Sequence, residues 1–197
     1  MKDNFSAQSS GYAQFRPGYP AQLFDLLTVG QAAHWFVFEK FYPEARRVLK
    51  PGGLLALVGY NLLRVDEPTE AVIEYFYNTT LKGCWDGERY LVEQAYRTIS
   101  FPFDEIPFPE MDSNYSWTVD QLLGYLGTWS AVQHFIRKNG RSPIDEMLFA
   151  QLKEVWPEGE VRIVRFPIFA RVGFNNQTLD FKHGRTTTQA SIPCVFW

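Results

Sequence analysis

With 197 residues, 46% of them hydrophobic and 21% charged, the chain has the composition of one globular domain with a sizeable core. A net charge of −3, with its Lys and Arg scattered, argues against a nucleic-acid binder, which would carry a basic face. Two distant cysteines, Cys84 and Cys194, and the dispersed His34, His134 and His183 give no zinc spacing, so no metal is expected.

The first residues, MKDNFSAQSSGYAQ, lack the apolar stretch of a signal peptide, and no later run reaches transmembrane length. The expectation is a cytoplasmic protein that does not enter a membrane. Pro17 and Pro20 force an extended or turning path. A short amphipathic piece covers residues 21–27, and residues 28–35 follow it with no turn signal between. From Phe36 the helical period shows in Phe38, Phe41, Ala45 and Val48, with Pro43 interrupting or marking a first turn. Leu49-Lys50-Pro51-Gly52-Gly53 stops that helix. The apolar run 54–60 then reads as a strand buried on both faces of a parallel sheet.

Residues 66–100 predict one or two helices carrying Ile73, Phe76, Tyr77, Leu91 and Ala95, and the proline-rich 101–109 predicts an irregular or edge segment. Thr118-Val119-Asp120-Gln121 has the form of a capping box. It opens a helix through Leu122, Leu126, Trp129, Val132 and Phe135, ended by Asn139-Gly140. Ser142-Pro143-Ile144-Asp145 opens another, N-capped by Ser142, with Ile144, Leu148, Leu152 and Val155 as its buried stripe. Residues 161–172 alternate as a strand, and Pro167 predicts that it is an edge strand or carries a bulge.

Three signatures stand in order: Asn4-Phe5-Ser6 with Tyr12-Ala13 and the 15–20 segment; Gln31-Ala32-Ala33-His34-Trp35-Phe36; and residues 44–53, EARRVLKPGG. Together they resemble the class I S-adenosylmethionine-dependent methyltransferases, and among them the group with trans-aconitate methyltransferase-like enzymes. Gly59-Tyr60 and the stretch 115–130, with Thr128-Trp129-Ser130, fit the same pattern. The resemblance implies an α/β fold: an incomplete Rossmann-like sheet with helices on its faces and a helical cap over about 66–158. It covers a domain of residues 1–173, followed by an irregular tail, 174–197. S-adenosyl-L-methionine is the implied cofactor and a small molecule the implied methyl acceptor.

One departure matters. In that family a strand with an acidic, glycine-rich loop, then a second strand ending in a ribose-binding acid, lie between the first signature and the second. Here Leu27 is joined directly to Thr28, and no GxGxxG occurs anywhere in the chain. The expectation is a truncated form that grips the cofactor poorly. The alternatives are a non-catalytic isoform and, from the 17% aromatic content, an interaction or apolar-ligand-binding protein. Loss of early strands would expose a sheet edge and favour self-association.

The resemblance places Gln31 and Trp35 beside the methyl donor, makes His34 the candidate general base, and brings Tyr12 and Arg16 to the cofactor. Tyr60 and Asn61 follow the buried strand, where open α/β sheets bind ligands. With Trp117 and Trp129 they are the candidate acceptor-binding residues. Tyr75, Tyr77 and Tyr125 share their helical spacing, which suits a core equally well.

Overall fold

The computed structural model describes residues 19–176. Its elements run β1 (Phe24–Gly30), a 3₁₀ turn (Ala33–Trp35), α1 (Phe38–Val48), β2 (Leu49–Tyr60), α2 (Glu67–Tyr75), a π turn (Phe76–Thr80) and α3 (Arg89–Glu93). There follow β3 (Asp104–Ile106), β4 (Met111–Trp117), α4 (Val119–Gly127), α5 (Ser130–Asn139), α6 (Glu146–Val155) and β5 (Arg162–Phe174). The fold is mixed α/β, with a partial five-stranded sheet in the order β1-β2-β5-β3 and β4 also paired to β5. Among the described residues no helix is long and apolar enough to cross a membrane.

The described residues form two units, 19–57, 100–107 and 171–176 in the first, 58–99 and 108–170 in the second. In the first, α1 packs Tyr42, Ala45 and Val48 inward and runs through Pro43, without a break there. It ends at Val48, as the Lys-Pro-Gly-Gly sequence predicts. The Lys-Pro-Gly-Gly segment, expected as a turn, already belongs to β2, where Gly52 takes φ +74°, a conformation open to glycine at little cost. The Tyr42 hydroxyl donates to Ser100 O at 2.5 Å. Arg171 forms a two-pronged pair with Glu105, at 2.8 and 2.6 Å, and lies over the Phe101 ring. Gly173 has no room for a side chain, since a Cβ there would meet Phe101 and Phe103 at 2.9 Å. The buried polar residue of this unit is Asn175, whose side-chain NH₂ reaches the carbonyls of Arg46, Leu49 and Lys50.

β1 departs from expectation. The amphipathic piece and the segment after it form one unbroken strand that crosses the Leu27–Thr28 junction. It takes the edge position and is mostly exposed, Val29 excepted, with Asp25 ion-paired to Lys50 at 2.8 Å. β2, by contrast, is buried or nearly so at every residue from Gly53 to Tyr60, as its apolar run predicts.

The second unit is built on Leu63, Ile73, Phe76, Leu122, Leu126, Val132, Leu152, Trp156 and Val164. Asp66 caps α2 by accepting from Thr69 N at 3.0 Å, and its other oxygen meets Arg162 at 2.7 Å. The π turn is closed by Leu81 N donating to Phe76 O at 3.0 Å. The capping box forms at Thr118 and Gln121 as expected, and Gly140 ends α5 at φ +69°.

Four details differ from the sequence reading. The helix expected through Trp129 is two helices, because Trp129 adopts extended backbone (ψ 136°) and heads α5. The cap of α6 is Asp145, which accepts from Leu148 N at 3.1 Å, while the Ser142 hydroxyl accepts from Ile144 N. Residues 111–117, rich in Asp, Ser and Asn and not expected as a strand, pair antiparallel with 162–168. β5 is consequently an interior strand and not an edge. Pro167 is accommodated opposite Asp112, and its carbonyl accepts from Asn61 N at 3.0 Å.

Candidate functional site

Candidate residues fall in both units, and each group is built from its own surroundings. Tyr12 and Arg16 lie outside the described residues. In the first unit β1 ends at Gly30, and Gln31 takes φ +49°, a left-handed conformation that costs a non-glycine residue roughly 1–2 kcal/mol. The 3₁₀ turn then closes through Trp35 N to Ala32 O and Phe36 N to Ala33 O, both at 3.0 Å. Ala33 is fully buried and pins the turn. His34 and Trp35 therefore emerge side by side, their ring centroids 4.9 Å apart, with Trp35 52% exposed. Gln31, His34 and Trp35 are brought together as one strained, strand-end turn, a place where backbone strain often accompanies ligand binding.

This turn presents an exposed indole next to a histidine ring at the end of a strand. It does not by itself make a methyl-donor grip. β1 ends in a single glycine, Gly30, which does not take the positive φ of a tight glycine turn, and the acid of the strand, Asp25, is paired to Lys50. The described residues thus do not fit S-adenosylmethionine as a complete site, and no transfer step is derived through it. A groove of about 530 Å³ in the same unit is lined by Tyr42, Pro43, Arg46, Pro51, Pro102 and Asn175. None of the sequence-predicted residues falls in it.

The second unit gathers aromatic rings from strands, helices and the π turn. Tyr60, at the end of β2, meets Phe166 of β5 edge-on at 5.4 Å. Phe166 is also met by Tyr115 at 5.7 Å, Trp117 at 5.6 Å and Tyr125 at 5.2 Å. Trp129, freed from the helical path by its extended backbone, touches Phe76, Tyr77, Trp85 and Tyr125 at centroid distances of 5.5–6.2 Å. Tyr60, Trp117 and Trp129 thus belong to one continuous cluster of rings packed against the core of this unit. Asn61 uses its backbone N–H on Pro167. Tyr75, by contrast, is 54% exposed and stands apart from the cluster.

The cluster has polar handles. Burial pushes the Tyr125 phenol up to about 12; it is also hydrogen-bonded to Trp129, whose donation works the other way, and to Tyr60. Burial does the same for Tyr77, helped by its hydrogen bond to Glu93 at 2.5 Å. Both phenols stay protonated near neutral pH and act as hydrogen-bonding groups, not bases. The Trp85 indole donates to Tyr77 O at 3.1 Å, and Arg89 Nε donates to the Tyr77 hydroxyl at 3.0 Å. Trp85, Arg89 and Glu93 were not singled out in the sequence. They come from a stretch with no motif, and their importance rests on a π turn that carries Tyr77 over to them.

With this geometry in place, comparison with known proteins is informative. A methyltransferase domain family model matches residues 8–57. A solved structure from Anaeromyxobacter dehalogenans, assigned as a type II methyltransferase, aligns at a TM-score of 0.74 and 38% identity, covering 80% of this chain and 67% of that one. A Dictyostelium discoideum protein assigned as a methyltransferase is 28% identical over 156 residues, 76% of this chain and 59% of its own length. An uncharacterized methyltransferase of Schizosaccharomyces pombe is 27% identical over 134 residues, 66% of this chain and 49% of its own. The chain therefore spans between about half and three fifths of the two curated relatives it matches.

Proposed function

Because the chain belongs to the class I S-adenosylmethionine-dependent methyltransferases, we propose that it carries the acceptor-binding part of a small-molecule methyltransferase and grips the methyl donor weakly or not at all. The observation that carries this reading is the contrast between its two candidate sites. The aromatic cluster of Tyr60, Trp117, Tyr125 and Trp129 is continuous, with its phenols hydrogen-bonded. At the donor side, Gln31, His34 and Trp35 stand on a strand end without a glycine turn or a free acid beside them.

Methyl transfer to a small acceptor depends mainly on proximity and alignment, since the sulfonium methyl is already activated. A chain that holds only the acceptor loses the alignment and with it most of the rate. In this reading Gln31 and Trp35 line the donor side, with Tyr12 and Arg16 assigned there from sequence alone. His34 is the base candidate, and Tyr60, Asn61, Trp117 and Trp129 hold the acceptor. Calorimetry on folded protein with S-adenosylhomocysteine is the test. No heat at millimolar ligand is the expected result, and a dissociation constant in the micromolar range would overturn the claim of a weakened grip.

A second reading, a non-catalytic chain that self-associates, is favoured by one specific observation. Leu23 and Leu26, at and beside the edge strand β1, and Trp35 and Val37 just after it, are 41–57% exposed. An apolar strand edge of this kind templates pairing with another chain. Sedimentation velocity separates the two readings: a monomer across the micromolar range would remove the second.

A further inference from the structure

Arg89 occupies an unusual position in the aromatic cluster. Its guanidinium carbon lies 5.2 Å from the centroid of Trp85 and 5.7 Å from that of Tyr77. One of its nitrogens, Nε, is committed to the Tyr77 hydroxyl. That hydroxyl is itself fixed by donating to Glu93, and Tyr77 and Trp85 are locked together by the indole bond and by rings 4.3 Å apart. The planar cation is therefore held in orientation by three contacts from two residues, the Tyr77 hydroxyl and ring and the Trp85 ring. Among the described residues no carboxylate lies within 4 Å of it, unlike Arg64, Arg162 and Arg171, which are all ion-paired. Among the described residues its two terminal NH₂ groups meet no acceptor.

The surrounding charges sharpen this contrast. Glu93 is engaged by the Tyr77 hydroxyl, and Asp86 lies 3.7 Å from His134, which also meets Cys84 O at 2.8 Å. Arg89 is near enough to Tyr125 for its charge to act on that phenol, which places the cation on the side of Tyr125 and Trp129. A guanidinium presents a flat fork that matches a carboxylate with two parallel hydrogen bonds. A doubly charged phosphate would call for more than one cation, and only one is here. Aromatic faces on the same cluster suit a flat apolar body.

We propose that Arg89 is a specificity-determining residue that selects acceptors carrying a carboxylate next to a flat apolar body, with the fork on the carboxylate and the Trp85–Trp129 rings on the body. The proposal rests on the reading of the aromatic cluster as the acceptor site, and adds to it a residue and a charge requirement.

The test uses tryptophan fluorescence of the full chain, titrated with benzoate, with benzamide as its uncharged counterpart, and with inorganic phosphate. Benzoate is expected to quench saturably and at least tenfold more tightly than benzamide, and phosphate to give no response. Arg89→Gln should remove the benzoate preference while leaving benzamide quenching unchanged. Arg89→Lys should recover only part of it, because the ammonium lacks the fork. Tyr77→Phe, which frees the guanidinium without deleting it, should weaken benzoate about threefold to tenfold and benzamide hardly at all. It also serves if Arg89→Gln fails to fold. Equal affinity for benzoate and benzamide would overturn the role of Arg89 and leave the acceptor site standing. Benzoate binding that survives Arg89→Gln, a phosphate response of similar strength, or no saturable binding of either ring would also overturn the proposal.

Discussion

Asp66 offers the most direct check on how the second unit is held. One carboxylate oxygen caps α2 through Thr69 N at 3.0 Å, and the other meets Arg162 at 2.7 Å. Asp66→Ala removes both. Loss of an N-cap acceptor costs about 1 kcal/mol. The ion pair is partly shielded, with side chains 21% and 35% exposed, and such a pair contributes up to about 1 kcal/mol. Arg162 is not stranded, because Glu160 still holds it at 2.9 Å, so no further burial penalty is added. The sum is about 2 kcal/mol for Asp66→Ala. Asp66→Asn keeps an acceptor for Thr69 N and should cost about half as much, on the order of 1 kcal/mol.

The pH dependence follows from the same contacts. Burial pushes the Asp66 carboxyl up, but the Thr69 backbone N–H and hydroxyl and the Arg162 guanidinium outweigh it and hold the group below its ordinary value. A depressed carboxylate contributes stability that is present above its unfolded value, about 3.9, and is lost as pH falls through the folded one. The gap between wild type and Asp66→Asn should therefore be full at pH 6–7 and shrink once pH falls below about 4. Urea unfolding followed by Trp fluorescence reads it, since Arg162 lies 5.3 Å from the ring of the fully buried Trp156. Asp66→Asn as damaging as Asp66→Ala would refute the division between cap and charge. A gap that does not change with pH would refute the electrostatic half.

Other changes have equally defined outcomes. Gly173→Ala forces a Cβ to 2.9 Å from Phe101 and Phe103 and should cost about 2 kcal/mol, lowering the melting temperature by roughly 4–8 °C in calorimetry. Trp129→Ala removes contacts with Phe76, Tyr77, Trp85 and Tyr125. Because Trp129 is only partly buried, the expected loss in urea unfolding is about 2–3 kcal/mol, below the value for a fully buried ring, and Trp129→Phe should recover most of it. Leu26→Lys, at a position 53% exposed on the edge strand, should change stability by less than about 0.5 kcal/mol and shift sedimentation toward monomer if β1 mediates association.

Where local chemistry decides an element, the sequence was readable. α1 ends at Val48, just before the Lys-Pro-Gly-Gly segment, though Leu49 caps it and Gly52 takes its positive φ inside β2, while Gly140 sits at positive φ as a cap glycine should. The capping box of α4 needs only Thr118 and Gln121, four residues of contiguous chain. Elements set by distant partners were less readable. The polar 111–117 segment is a strand because 162–168 offers it a ladder, and Pro167 lies in an interior strand because only one of its two backbone groups needs a partner. Trp129 departs from the helical stripe with its ring set among aromatic neighbours on the π turn, the segment after it and α4, which local spacing does not reveal. For Arg89 no local signal exists. Its role depends on Tyr77 and Trp85 being folded back onto it, a tertiary fact that spacing does not encode.

The Leu27–Thr28 junction separates what a strand demands from what a site demands. A strand asks for backbone that can pair and a side-chain sequence that tolerates its place in the sheet, and residues 24–30 satisfy both at an edge, where Asp25, Leu26, Thr28 and Gly30 face water. Two segments that the family resemblance reads as separate can therefore meet end to end inside β1 without breaking it. A donor grip asks for more: a glycine turn at the strand end, an acid placed beyond the next strand, and helix N–H groups aimed at one point. None of these can be supplied by substituting one extended segment for another. On the proposed reading, the acceptor side requires aromatic area and a few fixed hydrogen bonds, and residues 60–166, all on the far side of the junction, carry such a cluster. That asymmetry predicts a chain that keeps its fold and its acceptor cluster while losing its hold on the methyl donor.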